Sequence, residues 1–160
     1  MIDSTLSTSQ ETEDYEMVPY RSQSPGAYRN KRFLVFGTGL SGIAAAELLI
    51  KNQIWVVLYD GKEDLDIPAL RAQYPVLGKT AIYAGTLPEE VLSEIDIAVL
   101  SPGVPTDLPL VNHMRELGIA IWGEIELAYV FSRGRVLAVT GTNGKTTTTT
   151  LLGEIMKETF

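Results

Sequence analysis

Near the end of the chain, Gly141-Thr142-Asn143-Gly144-Lys145-Thr146-Thr147 has the residue types and spacing needed to hold phosphate. The glycines allow successive backbone N–H groups to turn into one concavity. A helix starting at that point adds the positive end of its dipole. Lys145 stands where a lysine reaches β- and γ-phosphates, and the Thr146 hydroxyl stands where it ligates magnesium. The general phosphate-binding pattern opens with a glycine where this chain has Val139, so this is a shorter Thr-Gly-Thr-Asn-Gly-Lys-Thr form.

A second constellation lies upstream. Gly37-Thr38-Gly39-Leu40-Ser41-Gly42 follows a short apolar run, and Asp60 closes the next apolar run. Glycines at this spacing, followed some twenty residues later by an acid, form the fingerprint of a turn that carries a nucleotide diphosphate. A third stretch, Ser101-Pro102-Gly103-Val104-Pro105, follows another apolar run and reads as a loop at the carboxyl end of a strand. Ligands of doubly wound sheets gather at such ends. A plain turn is the alternative there, as tight strand–helix packing without a ligand is for the first glycine run.

The elements that must position these residues follow from the apolar pattern. Strands are expected over 33–36, 54–59, 80–83, 95–100 and 119–122, with helices over 43–50, 68–74, 88–94, 107–117 and 124–131. Asn52 and Gln53 should close the first helix, Asp107 should cap the fourth, and Gly118 should stop it. A further strand is expected over 136–139, leading into the phosphate turn and a helix with Leu151, Leu152 and Ile155 on its apolar side. The run Thr146 to Thr150 is a poor helix start by propensity. The fold class is therefore α/β: a Rossmann-like parallel-sheet domain over 29–124, then over 125–160 the first strand, phosphate loop and helix of an incomplete P-loop ATPase domain. One strand and one helix do not complete such a domain, so the chain reads as truncated. Residues 1–28, rich in Ser, Thr, Gln and Glu, are expected to be a disordered tail.

Bulk properties exclude several classes. A net charge of −7 and a pI near 4.7 argue against a general nucleic-acid binder. There is no cysteine, which excludes disulfides and thiolate metal sites. The acidic N-terminus lacks the apolar segment of a secretory signal, and no apolar run approaches a membrane span. A cytoplasmic location is the resulting expectation. His113, the single histidine, falls in an amphipathic helix and reads as a solvated side chain.

Four stretches together resemble the amino-terminal part of a Mur ligase: the run from Gly37 to Ala46, the Ser101–Pro105 loop, Gly123-Glu124-Ile125-Glu126-Leu127, and the run from Ala138 to Thr147. The phosphate turn marks the whole family; the first two stretches point to its D-glutamate-adding branch. The resemblance covers about residues 30–160. It implies a ligase that uses ATP and Mg2+ to join D-glutamate to UDP-N-acetylmuramoyl-L-alanine through an acyl phosphate, in peptidoglycan precursor synthesis. Partners are then small molecules, with a monomeric protein and neither nucleic acid nor membrane involved. It also implies that Gly39, Leu40 and Ser41 meet the uridine and diphosphate, that Asp60, Gly61 and Lys62 contribute from the second strand, and that Ser101 and Gly103 complete the site. Many family members carry Thr-Arg where this chain has Gly61-Lys62. Gly141, Thr142, Asn143, Gly144, Lys145, Thr146 and Thr147 are implied to bind ATP, with Lys145 catalytic and Thr146 a metal ligand. Other readings stay open: a sister ligase adding another amino acid, or a nucleotide-binding module without ligase activity. An NAD-linked dehydrogenase fits the first glycine turn but leaves the second unexplained.

Overall fold

The computed structural model describes residues 25–132 and 136–159; of the tail expected over 1–28, residues 1–24 lie outside them. A 3-10 turn, Pro25–Tyr28, leads into β1 (Arg32–Phe36), α1 (Leu40–Lys51), β2 (Trp55–Asp60), α2 (Ile67–Gln73), a second 3-10 turn (Pro75–Leu77), β3 (Ala81–Ala84) and α3 (Glu89–Leu92). Then come β4 (Ile97–Leu100), α4 (Pro109–Glu116), β5 (Ala120–Gly123), α5 (Glu124–Phe131) and α6 (Lys145–Thr159).

The five strands form one sheet in the order β3-β2-β1-β4-β5, and each neighbouring pair is parallel. A parallel sheet covered on both faces needs strands that are apolar on both sides. β1 meets this with Phe33, Leu34 and Val35 fully buried. The alternation of side chains sorts them between two cores. Phe33 and Val35 pack with Ile43, Ala46 and Leu49 of α1 and Leu127 and Phe131 of α5. Leu34 and Phe36 pack on the other face with Leu92 of α3 and Val111 and Met114 of α4.

Order starts earlier than the composition indicates. Tyr28 packs edge-on against Phe33 and Trp122, with ring centroids at 6.3 and 5.4 Å, and lies 6.2 Å from Phe131. Residues 25–28 therefore belong to the folded part, because one aromatic ring supplies the apolar area that the polar residues around it lack. α1 ends as expected: Asn52 caps it, and Gln53 takes a left-handed φ of 60° that turns the chain into β2. Gly118, with φ 78°, stops α4. Asp107 does not cap α4. Leu108 holds the cap position and Pro109 takes the first turn, where a missing N–H costs nothing; Asp107 instead accepts at its carbonyl from Asn112 Nδ2, 3.2 Å away.

The largest departure is at 136–139, which forms no strand. Val136 and Leu137 are 54% and 61% exposed. A strand exists only where a neighbour takes its N–H and C=O groups, and no described strand pairs with this run. The helix beyond it does form, from Lys145 through the threonine run.

Candidate functional site

The doubly wound order puts its switch point between β1 and β4, whose chains continue to α1 and α4 on opposite faces. A crevice opens at the carboxyl ends of such a pair. Here it is a cleft of about 460 Å3 between the turn after β1 and the loop after β4. Of the residues expected to touch a nucleotide diphosphate, Gly39, Leu40, Ser41, Asp60, Lys62, Ser101 and Gly103 all border it, while Gly61 does not.

The turn is held by close packing. Gly37 has φ 110°, and its N–H donates to Tyr59 O at 2.8 Å. A Cβ on Gly42 would lie 1.9 Å from Gly37 O and 2.9 Å from Ser101 Oγ, so only glycine lets α1 start this close to β1. Around Gly39 there is open space, which leaves its backbone accessible from the cleft. α1 begins at Leu40, earlier than the apolar run indicates, and Gly39 provides no side-chain cap. Leu40 and Ser41 therefore lie in the first helical turn, whose N–H groups have no intrahelical partner. Leu40 is 82% exposed at the mouth of the cleft.

Asp60 ties β2 to the turn. Its Oδ2 accepts from Thr38 Oγ1 at 2.7 Å and Thr38 N at 3.0 Å, and its Oδ1 accepts from Lys62 N at 3.1 Å. Burial is the largest single influence and acts to raise the pKa. The bonds from Thr38 and Lys62 together outweigh it and hold the carboxyl below its ordinary range. Thr38 was not among the expected site residues; it brings no chemistry of its own and acts by fixing Asp60. On the other side, Ser101 N donates to Phe36 O at 3.0 Å and Val104 N donates to Ser101 O at 2.9 Å, so the β4 loop is a closed turn facing the glycines.

The second phosphate turn is present as a local shape. Gly141 and Gly144 have φ 148° and 76°, and α6 starts directly after them. Lys145 Nζ donates back to the carbonyls of Gly141 and, at 3.5 Å, Thr142. Thr142, Asn143, Thr146 and Thr147 are exposed. The structure does not bring this turn to the cleft, and no group of His, Cys, Asp or Glu among the described residues is arranged to hold a metal. His113 is exposed and sits 3.0 Å from Glu89 Oε1; that bond, with Glu116 nearby, pushes its pKa up. No described helix is long and apolar enough to cross a membrane.

Fold and cleft define the class: a Rossmann-like α/β domain with a ligand crevice at its switch point. A family profile described as "Mur ligase MurD-like, N-terminal domain" matches residues 31–123. The chain belongs to that family. It is 49% identical over 130 residues to the UDP-N-acetylmuramoylalanine–D-glutamate ligase of Lachnoclostridium phytofermentans, covering 81% of this chain and 29% of the relative. The same figures for the ligase of that name from Lachnospira eligens are 49%, 130 residues, 80% and 28%. The chain thus spans less than a third of the length of these curated relatives. Among solved structures, a pseudomurein peptide ligase type C from Methanothermus fervidus matches with a TM-score of 0.52 and 22% identity, over 80% of this chain and 26% of that one. At that identity the match speaks for the fold alone.

Proposed function

We propose that this chain is the nucleotide-sugar-holding part of a ligase that adds D-glutamate to UDP-N-acetylmuramoyl-L-alanine. The observation that carries the reading is the cleft: it gathers seven residues that the family resemblance assigns to a nucleoside diphosphate, on three different strand ends. The chemistry of the donor set suits that ligand. Unpartnered N–H groups of the first α1 turn and the open backbone at Gly39 favour phosphate oxygens, and Lys62 adds a cation. Exposed Leu40 offers an apolar surface to a base. Asp60 is already committed to Thr38 and Lys62 N–H, which weakens it as the ribose reader of a dinucleotide enzyme.

For ATP, the left-handed glycines and the start of α6 fit a phosphate group, with Gly141, Thr142, Asn143, Gly144, Lys145, Thr146 and Thr147 as the cradle. Lys145 would neutralise charge on the transferring γ-phosphoryl group, and Thr146 would be one ligand of a magnesium ion, which supplies further neutralisation when bound. In this reaction the substrate carboxylate takes the γ-phosphoryl group of ATP with release of ADP, and the amino group of D-glutamate then attacks the acyl phosphate, displacing inorganic phosphate and giving up a proton. The run at 136–139 that leads into this turn pairs with no described strand, and Val136 and Leu137 are exposed, so the turn is not anchored and ATP binding and turnover by this chain are expected to be weak or absent. Calorimetry of the full chain with UDP-N-acetylmuramoyl-L-alanine and with NAD tests the reading. Binding of the UDP compound is expected, and binding of NAD alone would overturn it.

A further inference from the structure

Glu124 opens α5 immediately after β5, and the diphosphate cleft does not include it. Its Oε1 is buried without a hydrogen-bond partner; Ser101 Oγ is the other such side-chain atom among the described residues. A buried polar atom left unpaired is costly, and natural proteins keep few of them without a reason. Two cavities flank this residue. One, of about 260 Å3 between α1 and α5, has Ser41 and Glu124 on its wall. The other, of about 430 Å3 between the β4 loop and the β5–α5 junction, has Ser101, Thr106 and Glu124 on its wall. Ser41 and Ser101 also border the diphosphate cleft. The three hollows therefore have wall residues in common pairwise, with Ser41 and Ser101 between the glycine turn and the two cavities that Glu124 borders.

We infer that Glu124 is a specificity-determining residue that accepts a hydrogen bond from a hydroxyl or amide N–H on the glycosyl group of a nucleotide diphosphate sugar. The inference rests on the reading of the cleft given above. A carboxylate is an acceptor with no donor at neutral pH, so it suits a neutral, donor-bearing sugar and repels phosphate. The glycine turn, with its free N–H groups, has the opposite preference. A diphosphate is thus held over the turn, and the group attached to it is directed across Ser101 into the cavity of about 430 Å3, which is large enough for a ligand fragment. Position in the chain gives the register: phosphate on β1, the sugar beyond β4 and toward β5.

Calorimetry on the full chain separates this role from a purely structural one, using UDP and UDP-N-acetylmuramoyl-L-alanine as probes. The parent chain is expected to bind the nucleotide sugar more tightly than UDP. Glu124→Ala is expected to lose about tenfold in affinity for the nucleotide sugar, about the worth of one hydrogen bond to a charged group, and to keep its affinity for UDP. Glu124→Gln, of nearly the same shape, guards against misfolding and is expected to lose less. Equal loss for both probes, at an unchanged melting temperature or not, would overturn the inference, and so would no loss for either. A parent chain that binds UDP but prefers the sugar conjugate no more than UDP defeats the inference while leaving the reading of the cleft intact. A parent that binds neither probe defeats both.

Discussion

The chain carries two glycine turns that open helices, Gly37–Gly42 before most of α1 and Gly141–Gly144 before α6, and they end in different states. The first follows β1, whose Phe33, Leu34 and Val35 are fully buried, and it is tied to its neighbours by Gly37 N to Tyr59 O and Ser101 N to Phe36 O. The second follows residues that form no strand; Val136 and Leu137 are more than half exposed, and among the described residues Lys145 bonds to carbonyls of its own turn. Both keep left-handed glycines. The shape of a phosphate turn is thus a local property, whereas its attachment to a binding cleft comes from the strands beside it.

The sharpest way to break that comparison is to crowd each region in turn. Gly42→Ala places a methyl group against Gly37 O and is expected to cost about 3 kcal/mol or more, enough to unfold a marginal domain. Gly153→Ala, where a Cβ meets nothing within 4 Å, is expected to favour α6 by about 1 kcal/mol and leave the main unfolding transition in place. Urea unfolding followed by circular dichroism reads both. A Gly42→Ala protein as stable as its parent would show that the first turn is no more constrained than the second.

A smaller effect is expected at the edge of the first region. Tyr28→Ala removes a ring that touches three others and should destabilise by about 2 kcal/mol. Equal stability by the same urea measurement would return residues 25–28 to the tail.

Next in size is the Thr38–Asp60 tie. Thr38→Val removes the hydroxyl donor and is expected to cost about 1–2 kcal/mol at pH 7. Because the folded pKa of Asp60 is lowered, its contribution is fully present above the unfolded carboxyl pKa. It is lost as pH falls through the depressed folded value. Unfolding midpoints measured from pH 6 down to 2 should therefore fall less steeply in Thr38→Val than in the parent. Parallel curves would remove Asp60 from the account of the turn.

The smallest effect is expected in the second region. Lys145→Ala exchanges bonds to exposed loop carbonyls for water and should change neither the melting temperature nor the affinity for UDP-N-acetylmuramoyl-L-alanine. A measurable loss of either would mean that the second turn is coupled to the first after all.

Much of the first region is legible in residue order alone. The five apolar runs, the glycines at 37, 39 and 42, the acid at 60 and the stops at Gln53 and Gly118 each depend on neighbours in sequence, through side-chain alternation, backbone sterics and the need for glycine at left-handed φ. The start of α1 was obscured because Gly39 and Leu40 carry no apolar periodicity, and the Asp107 cap yielded to Pro109 one step later. Other features needed the tertiary structure. Thr38 meets Asp60 across 22 positions only because β1 and β2 pair with Phe36 opposite Tyr59. Glu124 Oε1 is buried without a partner only because α5 packs beside α1 at the end of the sheet. The run at 136–139 has the composition of a buried strand, yet strand formation is a property of a pair. A sequence can supply the residues that would fill a ladder, but only a neighbouring backbone can satisfy them.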